Sequence, residues 1–161
     1  MIRSFYIRAD NMGLFSFKNK EYDALVTNAI KSINYPPVAT GPEHKLYCGF
    51  NEINGYEFLK CNIVSPLKSK TKRGCEAHFS NGEEELEIVS ETQEFDSDFS
   101  DTLKLGVTAF VIELEPKLRS WIENGDLKRI RFKVGKKTYA FDTVYHDVFR
   151  DTLVVQMDEE E

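Results

Sequence analysis

The sequence predicts an α+β fold in which antiparallel β-hairpins form a sheet packed by two helices. Two Asn-Gly pairs, Asn54-Gly55 and Asn81-Gly82, sit between strand-like runs. Asn-Gly suits a two-residue type I′ turn, which needs positive φ at both central positions. One segment, 18–34, repeats its apolar residues at helical spacing. Phe and Tyr are well represented, and both favour strands.

Taken in chain order, residues 2–8 (IRSFYIR) read as an opening strand. In the helix within 18–34, Tyr22, Leu25, Val26, Ala29, Ile30 and Ile33 define one stripe to be buried. Tyr35-Pro36-Pro37 ends it, because proline cannot donate a backbone bond and restricts the residue before it. Residues 45–64 form a hairpin closed at Asn54-Gly55. Counting outward from Ile53 opposite Tyr56 sets Cys48 opposite Cys61 in a non-hydrogen-bonded pair. Residues 75–91 form a second hairpin turning near Asn81-Gly82. An acidic stretch overlaps and follows it, with nine Asp or Glu among the nineteen residues from Glu83 to Asp101.

Residues 103–124 fit a long helical stripe, but Pro116 would break its interior. The segment therefore divides into a buried strand (106–114) and a helix (116–124) with Pro116 in its first turn and Gly125 at its end. Residues 127–145 form a third hairpin, and 151–157 (DTLVVQM) read as a last strand. The order strand, helix, strand, strand occurs in both 2–64 and 106–145, a βαββ pseudo-repeat in order though not in residue identity. Residues 1–157 are expected to form one domain and 158–161 an acidic tail.

At 161 residues, 41% of them hydrophobic and 30% charged, the chain has the composition of a soluble globular protein. No apolar run approaches the ~18 residues of a membrane span, and the N-terminus lacks the features of a signal peptide. Three cysteines without framework spacing point to a reducing, cytoplasmic setting. The net charge of −6 argues against general affinity for phosphate backbones, though not against a local basic patch.

The motifs that could carry chemistry are few. Cys48, Cys61, Cys75 and His78 together supply a zinc-compatible ligand set of three thiolates and an imidazole. Against that set, Cys75 and His78 should leave opposite faces of a strand, and buried free cysteines commonly serve as small apolar residues. DSDFSD (96–101) resembles a calcium loop but places Asp101 where glycine is needed and Val107 where a bidentate acid is needed. His146 and Asp147 are adjacent on a presumed strand and so form no dyad. None of the common nucleophile, phosphate-loop or metalloprotease motifs occurs.

Two basic stretches stand out, one at Lys68, Lys70, Lys72 and Arg73, the other within 128–137. In the second, alternation sets Arg129, Arg131 and Lys133 on one strand face, with Ile130, Phe132 and Val134 on the other. The aromatics face the core, which disfavours base stacking. The sequence thus leans away from catalysis. It predicts a non-catalytic domain that recognises another macromolecule, foremost a protein, in the manner of an inhibitor, adaptor or immunity protein. The acidic strip Glu83, Glu84, Glu85, Glu94, Asp96 and Asp98 is the expected contact. The alternative is a nucleic-acid-binding module using the two basic stretches. No cofactor is expected apart from the zinc alternative, and no membrane.

Overall fold

A computed structural model describes residues 16–159 and the side chains of residues 20–153. The strand expected over 2–8 lies outside the described residues, as do positions 160 and 161 of the expected tail. The described chain contains helices α1 (Ser16–Lys31), α2 (Pro116–Asn124) and α3 (His146–Glu159). Its longer strands are β2 (Lys45–Ile53), β3 (Tyr56–Ser65), β5 (Cys75–Ser80), β6 (Glu85–Val89), β9 (Leu105–Glu113), β10 (Arg129–Val134) and β11 (Lys137–Phe141). Short strands complete the set: β1 (Ala39–Thr40), β4 (Lys70–Thr71), β7 (Phe95–Asp96), β8 (Asp98–Ser100) and β12 (Thr143–Val144). They build an antiparallel six-stranded sheet, β12-β1-β2-β3-β9-β8, a four-stranded sheet, β11-β10-β5-β6, and the ribbon β4-β7. The α+β class built of antiparallel hairpins is as expected, with a third helix added.

The β2–β3 register follows the turn. Asn54 (φ 53°) and Gly55 (φ 86°) close the hairpin, Ile53 pairs with Tyr56, and Cys48 faces Cys61. β10 buries Ile130, Phe132 and Val134 and exposes Arg129, Arg131 and Lys133, as period-two alternation demands. The two large sheets meet through aromatic rings. Phe110 of β9 lies 5.0 Å from Phe132 of β10 in an edge-to-face pair, and Phe132 also contacts Phe79 at 6.0 Å and Phe141 at 5.9 Å. Such pairs add about 0.5–1.5 kcal/mol beyond simple burial. One continuous core runs from Val38 to Leu153 and includes Leu118, Trp121 and Ile122 of α2 and Phe149 of α3.

α1 covers the other face of the six-stranded sheet, where Ile30 and Ile33 pack on Tyr47, Val64 and Val107. Its stripe is rotated from the expected one, because Leu25 is 60% exposed. Hydroxyl contacts set the rotation. The Tyr22 hydroxyl donates to Asp98, Thr27 Oγ1 lies 2.5 Å from Ser100 Oγ, and Thr102 Oγ1 donates to Asp23 Oδ2 at 2.5 Å. The Thr102 hydroxyl holds the Asp23 carboxyl below its usual range. α2 begins at Pro116 and ends at left-handed Gly125 (φ 72°), whose N–H bonds back to the Ile122 carbonyl at 3.3 Å, a helix stop that favours glycine.

One expectation is corrected. DTLVVQM is not a strand but lies within α3, which runs through Asp158 and Glu159 of the expected tail. The helical repeat starts before the apolar run, with Phe149 and Leu153 buried at i, i+4 and the Phe149 N–H bonded to the Tyr145 carbonyl at 3.0 Å. The second βαββ order is present as β9-α2-β10-β11, with β9 in the six-stranded sheet and the hairpin β10–β11 in the four-stranded one. The opening strand of the first order, expected over 2–8, lies outside the described residues.

Candidate functional site: a cation-lined cleft

Between the ends of the four-stranded sheet and the β4–β7 ribbon lies an open cleft of ≈ 1320 Å³, above the ~300–1,000 Å³ of small-molecule pockets. Its position follows from a buried polar network. The Tyr139 hydroxyl of β11 lies 2.7 Å from Ser69 Oγ and 3.5 Å from Thr108 Oγ1 of β9, joining the two sheets. Ser97 Oγ lies 2.7 Å from Thr108 Oγ1 and accepts the Ser69 N–H at 2.9 Å. The Ser97 N–H in turn donates to the Ser69 carbonyl at 2.9 Å. These bonds seat the ribbon, in which Lys70 pairs with Asp96 and Thr71 with Phe95. Thr71 Oγ1 then shapes the following turn, donating to the Gly74 carbonyl at 3.0 Å and accepting the Arg73 N–H at 3.1 Å.

The opposite wall is the β10–β11 turn. Gly135 has φ +58°, and a Cβ there would lie 2.3 Å from the Lys70 carbonyl oxygen. The turn therefore packs backbone to backbone on β4. This contact unites basic residues that are far apart in sequence. Lys68, Lys70, Lys72 and Arg73 line one side of the cleft, and Lys133, Lys136 and Lys137 the other. Glu76, Glu94, Asp96 and the buried Asp98 complete the charged lining. Seven cations against four carboxylates leave +3 in a chain of net −6. Among the described residues none of the seven cations belongs to an ion pair. Lys68 Nζ sits 4.5 Å above the Phe99 ring.

The remaining site residues separate. Arg129 and Arg131 lie on the outer face of the four-stranded sheet and outside the cleft lining. Arg131 Nη2 approaches Glu85 Oε2 at 3.9 Å. The acidic strip does not form one surface. Glu84 bonds Lys117 Nζ at 2.8 Å, and Glu85 also approaches His78 Nδ1 at 3.8 Å. Glu83 lies at the exposed β5–β6 turn, where Asn81 Oδ1 accepts its N–H at 2.8 Å. Glu94 and Asp96 border the cleft, and Asp98 is buried.

The proposed four-ligand zinc set does not assemble either. Cys48, Cys61 and Cys75 are free and buried, whereas partly exposed His78 alternates to the opposite face of β5 from Cys75. The Cys48 thiol beside Cys61, together with burial, pushes the Cys61 thiol well up. Burial pushes Cys75 up as well. Cys61 and Cys75 thus remain protonated core thiols, and Cys48 is buried beside Cys61. Among the described residues the one cluster of three metal-ligating groups is Glu76, His78 and Glu87. Sequence reading missed Glu87, because the β5–β6 turn spans 81–84 and its length, which sets the register, was not evident from Asn81-Gly82. It also missed the Ser69–Tyr139 network, for which no local pattern exists. No family model, curated protein or solved structure matches the chain. Fold and site together define an α+β domain with a cation-lined cleft.

Proposed function

We propose that this chain is a non-catalytic recognition domain whose cleft binds an acidic segment of a partner protein. The observation that carries this reading is the convergence of the 68–73 loop and the β10–β11 turn on one cleft, with its cations left out of ion pairs. Outside the cleft Lys117, Arg119, Arg131 and Arg150 face carboxylates, whereas Lys45, Lys60, Lys104, Lys128 and Arg129 are in no ion pair among the described residues but do not converge on the cleft. Cations outside ion pairs are available to a carboxylate ligand, and such complementarity sets specificity and encounter rate. The carboxylates Glu94 and Asp96 favour a protein over a uniform polyanion, because a peptide can present Lys or Arg to them. The cleft aromatic Phe95 is stacked on Phe110 at 5.4 Å and 24°, so it is not presented to stack bases. The three free thiols support a reducing, cytoplasmic setting.

The same convergence favours, as a second reading, binding of a nucleic-acid backbone. One experiment separates the two. A short Asp/Glu-rich peptide and a single-stranded oligonucleotide are titrated against the full chain, against K70E/R73E/K136E and against R129E. The expected result is saturable peptide binding that the triple variant weakens by roughly tenfold or more and R129E leaves nearly unchanged. Tighter oligonucleotide binding with a steep salt dependence would replace the protein reading by the nucleic-acid one. Binding of neither probe would sink both.

A further inference from the structure

The outer face of the four-stranded sheet carries a second constellation. His78 and Glu87 are directly opposed in the β5–β6 register. Glu76 precedes His78 by two residues and so leaves the same face of β5. One ligand atom from each of the three lies within 4.8 Å of the others. The imidazole is only 15% exposed, and its Nδ1 is sealed from solvent with no hydrogen-bond partner. Such orphaned buried nitrogens are rare and call for a reason. The acceptor facing Nδ1 is Glu85 Oε1 at 3.8 Å, and the other Glu85 oxygen faces Arg131. Nε2 points the other way, 3.9 Å from Glu76 Oε1. A carboxylate behind one ring nitrogen and open donors around the other is how proteins orient a metal-ligating histidine.

We infer that Glu76, His78 and Glu87 form a binding site for a divalent cation of the zinc class. His78 Nε2 and one oxygen from each glutamate are the ligands, and Glu85, 3.8 Å from Nδ1, closes on the ring to accept the Nδ1–H when the ion binds. Bonds of about 2.0–2.2 Å require the donors to close around the ion, which rotamer changes of two exposed glutamates permit. An imidazole among the donors selects zinc-like ions over magnesium. Three protein ligands leave a fourth position open. Arg131 registers with His78 and Lys133 with Glu76, and these positive neighbours hold the affinity below that of a closed structural site.

The test is calorimetric titration of the full chain with Zn²⁺ in chelator-treated buffer, with the three histidine ring signals followed by NMR. His78 and Glu87 are the variants of choice because neither lines the cleft, so peptide binding and metal binding can fail separately. The expected result is one equivalent bound, with His78 shifting while His44 and His146 do not. H78Q should abolish binding. Exposed Glu87, which can be changed without disturbing the core, should weaken it by more than tenfold as E87Q. E85Q should weaken it by roughly 10–100-fold through loss of the outer carboxylate. Absence of stoichiometric binding, or binding that H78Q and E87Q leave intact, overturns the site.

Discussion

At Gly135 a methyl group in place of hydrogen would lie 2.3 Å from the Lys70 carbonyl oxygen, on a backbone with φ +58°. Neither the turn nor β4 can yield without separating the two walls of the cleft. Gly135→Ala should therefore destabilise the protein by about 1–3 kcal/mol and weaken peptide binding although no charge changes. Urea denaturation and the peptide titration check the two effects. At this scale the sequence is legible wherever a residue's constraint is local. Pro116 marks the start of α2, Gly125 its stop, and Asn54-Gly55 sets Cys48 against Cys61. Leu25 was misread because its spacing fits the apolar stripe. The helix is instead rotated by hydroxyl bonds to Ser100, Thr102 and Asp98, which lie more than seventy residues away.

Among the elements, the β4–β7 ribbon is two residue pairs wide, too short to hold its place unaided. The Tyr139 hydroxyl supplies much of what it lacks. Tyr139→Phe keeps the ring in the core but leaves Ser69 Oγ without its 2.7 Å partner. The expected loss is about 1–3 kcal/mol, with faster amide exchange at Ser69 and Ser97. Equal urea midpoints and unchanged exchange would show that the ribbon does not depend on this bond. The ribbon could not be read in advance, because two-residue strands show no periodicity. α3 failed for a different reason. DTLVVQM alone suits either a strand or a helix, and only Phe149, outside that window, completes the helical face.

For the molecule as a whole, the three hairpins and their faces were legible and the association of the sheets was not, since it depends on Phe110 meeting Phe132 across the core. His44 lies against the same core, bonded to Ser65 Oγ at 2.8 Å and beside the Tyr139 and Phe141 rings. Burial lowers its pKa, partly opposed by Glu43. The folded state then holds its proton less readily than the unfolded chain. His44 thus supports stability above the unfolded value of about 6.5, and that support is lost as pH falls through 6.5 toward the lower folded value. His44→Gln should flatten this part of the profile, measured as urea midpoints at about pH 7.5 and about pH 5.5. A wild-type slope that persists in the variant would assign it to other groups.

The Ser69–Ser97–Thr108–Tyr139 bonds bear on time as well as on place. They fix the cleft backbone during folding, so that much of the conformational entropy of its walls is already lost before a ligand arrives. For the acidic segment proposed above, little rearrangement should separate encounter from the bound state, and the field of the seven cations should act chiefly on the approach. Added salt should accordingly slow association steeply and change dissociation little, a split that stopped-flow measurement of the labelled acidic peptide can resolve.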